Sequence, residues 1–200
     1  MRHWLFHPLI FYPLAILAAA LLIAISVKPQ SWPREPAPAA AQHAEGALVY
    51  AGEAFDAPAP APEQEMTVIR DWLGRARTLR IAVRPDAPEP TPEEQGVRIL
   101  LTPDDAARMD NRPVTIEVSY VPSAVNTASG LAVSLRGAGP AQWVSRDIPP
   151  QPATIRFRLP PHAGPNAIGL RALTPNDDQN YGLEITRIRV LPLTQSTAAN

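Results

Sequence analysis

Proline constrains the fold of this chain more than any other residue type, because 25 of the 200 residues are proline. Proline lacks a backbone N–H, so it interrupts helices and cannot complete the hydrogen bonds of a central strand. These residues must therefore lie in loops, linkers and strand edges. The composition favours a β-sandwich with long connections over a helical fold, and the length predicts one domain with accessory segments.

The N-terminal region carries a long apolar segment. Residues 8–27, PLIFYPLAILAAALLIAISV, contain no charged side chain. Counted from Trp4, the apolar segment forms a helix of about 36 Å, which is enough to cross a hydrocarbon layer about 30 Å thick. We predict a transmembrane helix at 8–27 after a short cytoplasmic N-terminus at 1–7. The alternative is a cleaved signal peptide, but the apolar region of such peptides is shorter, about 7–15 residues.

The flanking charges leave the membrane orientation nearly balanced, with Arg2 on one side and Lys28 and Arg34 on the other. A short tail followed by a long domain is typical of a signal anchor. We therefore expect a single-pass protein of the inner membrane with its C-terminal domain in the periplasm. Residues 28–46 are rich in proline and alanine, which predicts an extended or disordered tether. The domain is expected at 47–193, followed by a disordered tail at 194–200.

Apolar residues alternate with other residues along much of the domain, which is typical of half-buried antiparallel strands. A phase slip at Thr186–Arg187 predicts a β-bulge, and Thr67–Leu73 fits either a strand or a short helix. Thr102 and Pro103 predict the start of a short helix. The alternation is found at 79–84, 97–99, 114–120, 131–135, 154–159, 168–170 and 183–190.

Two acidic, proline-rich segments, Asp56–Glu65 and Pro85–Gln95, have a composition that predicts surface loops. Arg80 and Arg84 fall on one side of a predicted strand. They could contact lipid headgroups or an anionic polymer. We favour the interpretation that the glutamates of residues 89–94 neutralise them.

The order of the strand segments resembles the galactose-binding-like jelly roll, a fold that also includes many carbohydrate-binding modules. The resemblance covers residues 97–192 and is carried by VRILLTPDDAARMDNRPVTIEVSYV, ASGLAVSLRG, AQWVSRDIP, ATIRFRLPP, NAIGLRAL and LEITRIRVLP. It implies a mainly β, antiparallel sandwich behind the N-terminal transmembrane helix. Proteins with this fold bind glycans, phospholipids or other proteins, and some are structural, so the resemblance leaves the function open.

The sequence lacks the motifs of several kinds of catalytic and metal-binding site. The chain has no cysteine, which excludes disulfides, thiolate metal sites and cysteine nucleophiles. Its four histidines show no ligand spacing, and no GxSxG, GxxxxGK[ST] or GxGxxG motif is present. The net charge of −1 provides no global field for nucleic acid. We predict a protein that is not an enzyme, with no cofactor and no metal site.

Two polar segments contain aromatic residues that could take part in glycan binding. An aromatic ring can stack on the apolar face of a sugar, while carboxylate, amide and guanidinium groups bond its hydroxyls. The alternatives are a buried tryptophan in the first segment and a solvated turn or a Ca²⁺-binding turn in the second. The candidate ligand-binding residues are Trp143, Arg146 and Asp147 in the first segment, and Asn176, Asp177 and Tyr181 in the second.

Two functions from different classes follow. The first is a membrane-anchored, extracytoplasmic binding module that recognises envelope glycan, with the lipid bilayer as its other partner. The second is an accessory structural subunit of a larger membrane protein complex. Glycan binding predicts that Trp143 or Tyr181 is exposed in a concavity.

Overall fold

The computed structural model describes residues 8–26, 35–174 and 181–193, and the chain divides into two compact units, 1–34 and 35–200. In the first unit, helix α1 extends over Pro8–Ser26 and contains Pro13. Its described side chains, at residues 11–22, are exposed. Within the described ranges, no helix combines the length and the apolar character that a membrane crossing needs. The transmembrane helix predicted at 8–27 is therefore not supported.

The second unit is built from two antiparallel sheets. One sheet has four strands in the order β5, β10, β7, β8, and the other seven strands form the second sheet. A short helix, α2 (Pro103–Met109), follows β5, and a 3-10 helix covers Gly52–Phe55. In chain order the strands are β1 (Gln42–Ala44), β2 (Ala47–Ala51), β3 (Gln64–Arg70), β4 (Ala76–Val83), β5 (Val97–Leu100), β6 (Val114–Pro122), β7 (Gly130–Arg136), β8 (Val144–Asp147), β9 (Ala153–Leu159), β10 (Ala167–Leu173) and β11 (Gly182–Pro192).

Strand β11 is the centre of the seven-stranded sheet. Along one edge it pairs with β6, and β9 lies beyond β6. Along the other edge it pairs first with β4 and then with β2. The register with β6 shifts between Ile185 and Arg187, where the partner on the opposite edge changes from β4 to β2. The predicted bulge at Thr186–Arg187 is thus confirmed.

The core lies between the two sheets. Residues such as Val133 and Ile168 from the four-stranded sheet, and Ile116 and Ile185 from the seven-stranded sheet, are fully buried in one cluster. The alternation of apolar residues places this cluster on one face of each sheet. The mainly β, antiparallel sandwich is confirmed, and the segment Thr67–Leu73 is strand β3 as far as Arg70.

The structured unit begins earlier than the composition predicted. The tether was expected to extend through residue 46, yet residues from Glu35 onward belong to the second unit. The Ala39 N–H donates to the carbonyl of Leu100 at 2.8 Å, and β1 pairs with β2 through a turn in which Gly46 has a φ of 75°. Residues 28–34 and the predicted tail at 194–200 lie outside the described residues.

The first proline-rich segment is also more buried than predicted. Ala59 and Ala61 belong to the buried residues of the domain. Ala59 and Arg98 exchange two backbone hydrogen bonds, of 2.8 and 2.9 Å. Because β5 is an edge strand, this segment satisfies backbone groups that would otherwise need water. The expectation of a simple surface loop at Asp56–Glu65 is therefore corrected.

Asp105 connects the early residues of the second unit to helix α2. Thr102 caps the helix, since its hydroxyl accepts a bond from the Asp105 N–H at 3.3 Å. The buried Asp105 carboxylate accepts bonds from Ala41 N at 3.2 Å and from the Tyr50 hydroxyl at 3.3 Å, and His43 Nε2 lies 3.2 Å away. Burial and the Asp105 charge raise the pKa of Tyr50 above its ordinary value, so its hydroxyl remains a donor.

Replacing Asp105 should therefore destabilise the domain. Asp105→Ala leaves the buried Tyr50 hydroxyl and the Ala41 N–H without an acceptor, so we expect a loss of about 3 kcal/mol in the free energy of unfolding, measured with urea. Asp104→Ala is the matched control, because Asp104 is exposed in the same helical turn and should cost less than about 1 kcal/mol. Equal effects of the two substitutions would show that Asp105 does not connect these elements.

Candidate functional site

The outer face of the four-stranded sheet, which points away from the core, carries three arginines on three neighbouring strands. We call this surface the arginine face. The register places Gly169 of β10 between Arg98 of β5 and Ser134 of β7. Strand alternation puts these residues opposite the core side chains of the same strands. The arginine face is defined by Arg98, Ser134, Arg136, Gly169 and Arg171.

Trp143 packs on the arginine face immediately before β8. Its ring centroid lies 5.8 Å from the Arg136 guanidinium carbon and 5.4 Å from that of Arg171, a cation–π arrangement with each arginine. Two glycines make room for the ring. A Cβ on Gly169 would lie 3.0 Å from Trp143 Cη2, and a Cβ on Gly96 would collide with the same atom. The observed position of the tryptophan ring therefore depends on glycine at both of these sites.

A buried carboxylate accompanies the arginines. Glu63 Oε1 accepts a hydrogen bond from Gly96 N at 2.6 Å and lies 3.5 Å from Arg171 Nε. Glu63 thus connects the first proline-rich segment to the strands β5 and β10. Its partners are the Gly96 backbone and Arg171, so its charge offsets one of the three arginines on the face.

The second proline-rich segment is tied to the same face. Arg136 Nη2 donates to the carbonyls of Pro92 and Glu93, both at 2.7 Å. The predicted role of this loop, which was to neutralise Arg80 and Arg84, is corrected for Arg80. Arg80 instead lies 3.6 Å from Glu184 across the strand pair β4–β11.

Unpaired polar atoms concentrate at the arginine face. Among the described residues, seven buried side-chain N or O atoms have no hydrogen-bond partner, and six of them belong to this face, to Trp143 or to Glu63. Folded proteins leave few buried polar groups unpaired, so such a concentration indicates a place where water or a ligand completes the bonding. The six atoms are Glu63 Oε2, Arg98 Nε, Ser134 Oγ, Arg136 Nη1, Trp143 Nε1 and Arg171 Nε.

The electrostatic balance of the face is positive. Arg136 is only 8% exposed. Burial and the nearby charge of Arg98 lower the pKa of Arg136, whereas Glu63 and Glu93 act in the opposite direction. Arginine nevertheless remains charged in proteins, so the positive charge is retained within a partly desolvated site.

A groove of about 740 Å³ opens beside the arginine face. It is lined by Arg98, Arg136, Glu93, Asn166 and the loop 137–141, and its volume is in the range of ligand pockets. A second groove, of about 640 Å³, lies around residues 37–42, 51–57 and 75–77 and contains none of the six atoms. We therefore take the groove at Arg98 and Arg136, called the arginine groove below, as the candidate site.

The predicted ligand residues are distributed over the domain. Trp143 lies on the arginine face, but it is half-buried and its ring is covered by two guanidinium groups. Arg146 and Asp147 lie on the outermost strand β8 with exposed side chains. Tyr181 is half-buried in front of β11, in the other sheet, where its carbonyl accepts from Val83 N at 2.8 Å. Asn176 and Asp177 lie outside the described residues.

The residues that the sequence reasoning missed are Arg98, Arg136 and Arg171, with Ser134 and Glu63. A signal was present, since VRIL, VSLR and GLRA each place a polar residue between apolar residues that face the core. Reading the outward positions of neighbouring strands together would have indicated one cationic face. The burial of these positions, however, depends on segments that are distant in the sequence.

The chemical groups of the site are guanidinium donors, a hydroxyl and a carboxylate. In the described part of the chain, no group of three histidine or acidic residues is arranged to hold a metal ion. Ser134 Oγ, the hydroxyl on the arginine face, has no hydrogen-bond partner among the described residues. The face offers N–H donors and one carboxylate, which suit an oxygen-rich ligand.

No protein-family model matches the chain, and no curated protein matches it either. Among solved structures, the unliganded CBM1 of BiXyn10A has a TM-score of 0.48 at 10% identity, covering 77% of this chain and 99% of that chain. The tandem CBM22-1–CBM22-2 domain of Paenibacillus barcinonensis Xyn10C has 0.45 at 16%, covering 80% and 50%. The Podospora anserina GH26-CBM35 β-(1,4)-mannanase has 0.38 at 16%, covering 78% and 29%. Values this low assign no ligand to the chain.

The packing of Trp143 against Gly169 can be tested by adding one methyl group. Gly169→Ala places a Cβ 2.7 Å from Ser134 Oγ and 3.0 Å from Trp143 Cη2, so we expect a loss of about 1–3 kcal/mol in unfolding free energy and a changed tryptophan emission. Gly139→Ala is the control, because its Cβ would meet His162 Cε1 at an ordinary 3.5 Å. If Gly169→Ala were as stable as the control, Trp143 would not be packed against Gly169.

Proposed function

We propose that the domain is a non-catalytic glycan-binding module and that the arginine groove is its binding site. The observation that carries this proposal is that Arg98 and Arg136 line the groove and each has a buried side-chain nitrogen without a hydrogen-bond partner, Arg98 Nε and Arg136 Nη1. Sugar hydroxyls both donate and accept hydrogen bonds, so they match a site that combines guanidinium donors with carboxylate acceptors. The Arg136 donor group is also fixed in position, because its Nη2 donates to the carbonyls of Pro92 and Glu93.

Recognition in this proposal depends on hydrogen bonds and not on aromatic stacking. Arg136 and Arg171 occupy the neighbourhood of the Trp143 ring, so the tryptophan orients the arginines. This differs from the expectation that Trp143 is exposed in a concavity. The loop 137–141 contains glycine, alanine and proline, whose small side chains allow a sugar ring to approach the backbone closely.

The proposal predicts binding that depends on the groove. The full chain should bind members of a glycan array, and Asn166→Ala should weaken the best of them roughly 3–10-fold in calorimetry, since it removes one uncharged hydrogen-bonding group from the groove. Gln151→Ala, an exposed amide before β9, is the control and should bind as the unmodified chain does. An array without a single bound glycan would overturn the proposal.

We further propose that the domain is anchored in the inner membrane by residues 8–27 and lies on its outer side. Two facts support this placement: the segment contains no charged residue, and it is helical over Pro8–Ser26. The sandwich itself is proposed to be a galactose-binding-like jelly roll, in agreement with its two antiparallel sheets.

The second candidate function, an accessory subunit of a membrane complex, is favoured by the hairpin between β3 and β4. Trp72 is 90% exposed and Leu73 is 52% exposed at its tip. Asp71 fixes the turn, because its carboxylate accepts bonds from Leu73 N and Arg75 N, both at 2.9 Å. A rigid loop that presents tryptophan to solvent is a common anchor in protein–protein interfaces.

One fractionation experiment tests both of these proposals. We expect the full chain to stay with membranes through an alkaline carbonate wash, and its release would contradict the anchor. After solubilisation in mild detergent, a subunit should co-purify with a defined protein in fixed ratio. Trp72→Ser should lose that protein, whereas Val125→Ser, at a position that is 77% exposed, should retain it. A chain that purifies alone would contradict the subunit function.

A further inference from the structure

We propose that the glycan bound in the arginine groove is acidic, and that Arg98 and Arg136 hold a carboxylate of one of its sugar rings. This inference rests on the proposed glycan-binding function and specifies its ligand class. It predicts a uronate-containing polysaccharide as the partner, in contrast to a neutral glycan.

The first step is the charge that the domain leaves uncompensated. Glu63 is engaged by Gly96 N and by Arg171. Arg98 and Arg136 form no ion pair with a carboxylate within the described residues. Both of them line the groove, where Glu93 is the one carboxylate among the lining residues, so the charge that adjoins the cavity is positive on balance.

The second step is the state of the guanidinium groups. Arg136 is more than nine-tenths buried, its Nη2 is bonded to the Pro92 and Glu93 carbonyls, and its Nη1 has no partner. Arg98 Nε is buried and unpaired as well. The loop therefore fixes the position of one guanidinium while leaving one of its nitrogens unsatisfied. Burial and the charge of Arg98 lower the pKa of Arg136. An anion in the groove would offset the repulsion between these two positive charges.

The third step is the identity of the anion. Guanidinium and carboxylate groups match in geometry, and their charge-assisted hydrogen bonds are stronger than those between neutral groups. A groove of about 740 Å³ is much larger than a free ion needs and also contains Asn166 and Glu93. A short saccharide that carries a carboxylate fits in such a groove, and its hydroxyls can bond to these groups. Sulfate esters offer a similar oxyanion, so the test includes them.

The test compares pairs of ligands that share a sugar backbone and differ in the charge they carry. Calorimetry with the full chain uses oligomers of galacturonate, of glucuronate and of alginate, together with their methyl esters, in which the carboxylate charge is removed. Sulfated and unsulfated dextran oligomers form a second pair. We expect at least one uronate to bind ten or more times more tightly than its ester, with an affinity that falls as the salt concentration rises.

Variants of Arg98 test whether the uronate binds in the arginine groove. Arg98 makes no side-chain hydrogen bond with a described residue, so Arg98→Gln should fold, which thermal unfolding verifies. We expect Arg98→Gln to lower uronate affinity at least tenfold, and Arg98→Lys to lower it less, since the charge is kept without the planar fork. Arg158→Gln is the matched control, because Arg158 is exposed on β9 of the other sheet, and it should change the affinity less than twofold.

The outcomes separate this inference from the proposed function. If esters and acids bind equally, or neutral glycans bind best, the acidic ligand is overturned and the glycan-binding function stands. A preference for sulfated dextran over every uronate overturns the carboxylate. If no saccharide binds here or on the array, both proposals are overturned.

Discussion

The burial of Arg136 is the constraint around which the four-stranded sheet is organised. All seven residues of β7 are buried, so this strand is covered on both faces, and its last residue carries a charge. A buried charge is tolerated when it is hydrogen-bonded or paired. The domain meets this requirement with two backbone carbonyls from the loop 85–95 and with the ring of Trp143. The loop and the tryptophan thus stabilise that one guanidinium from separate parts of the sequence.

Proline-rich segments suit the covering of a cationic face for a chemical reason. Proline provides a backbone acceptor without a donor, so a segment rich in proline has more carbonyls than N–H groups. The loop 85–95 satisfies Arg136 in this way, with the carbonyl of Pro92 as one acceptor. The segment 56–63 contributes a backbone bridge through Ala59 and the carboxylate of Glu63. The abundance of proline therefore affects the site as well as the connections.

The strands and the bulge were predictable because their signals are local. Period-two alternation, the phase slip at Thr186–Arg187 and the cap at Thr102 each depend on a few consecutive residues. The early boundary at Glu35 was not predictable, because it depends on Leu100 and Asp105, which are distant in the sequence. In the site, Trp143 was identified from its residue type. The three arginines were missed because their significance arises only when β5, β7 and β10 are adjacent.

The two arginines of the groove, Arg98 and Arg136, differ in what the domain requires of them. Arg136 has a structural task, since it binds the loop 85–95, and its presence needs no ligand. For Arg98, no side-chain hydrogen bond or ion pair is found among the described residues. The positive charge of Arg98 repels that of Arg136 and lowers the pKa of Arg136. An apolar side chain of similar volume would avoid this repulsion and the cost of burying Nε. Arg98 thus places a second positive charge beside Arg136, and an anion in the groove would pair with it. Arg98 is therefore the residue that best distinguishes a binding site from a structural cluster.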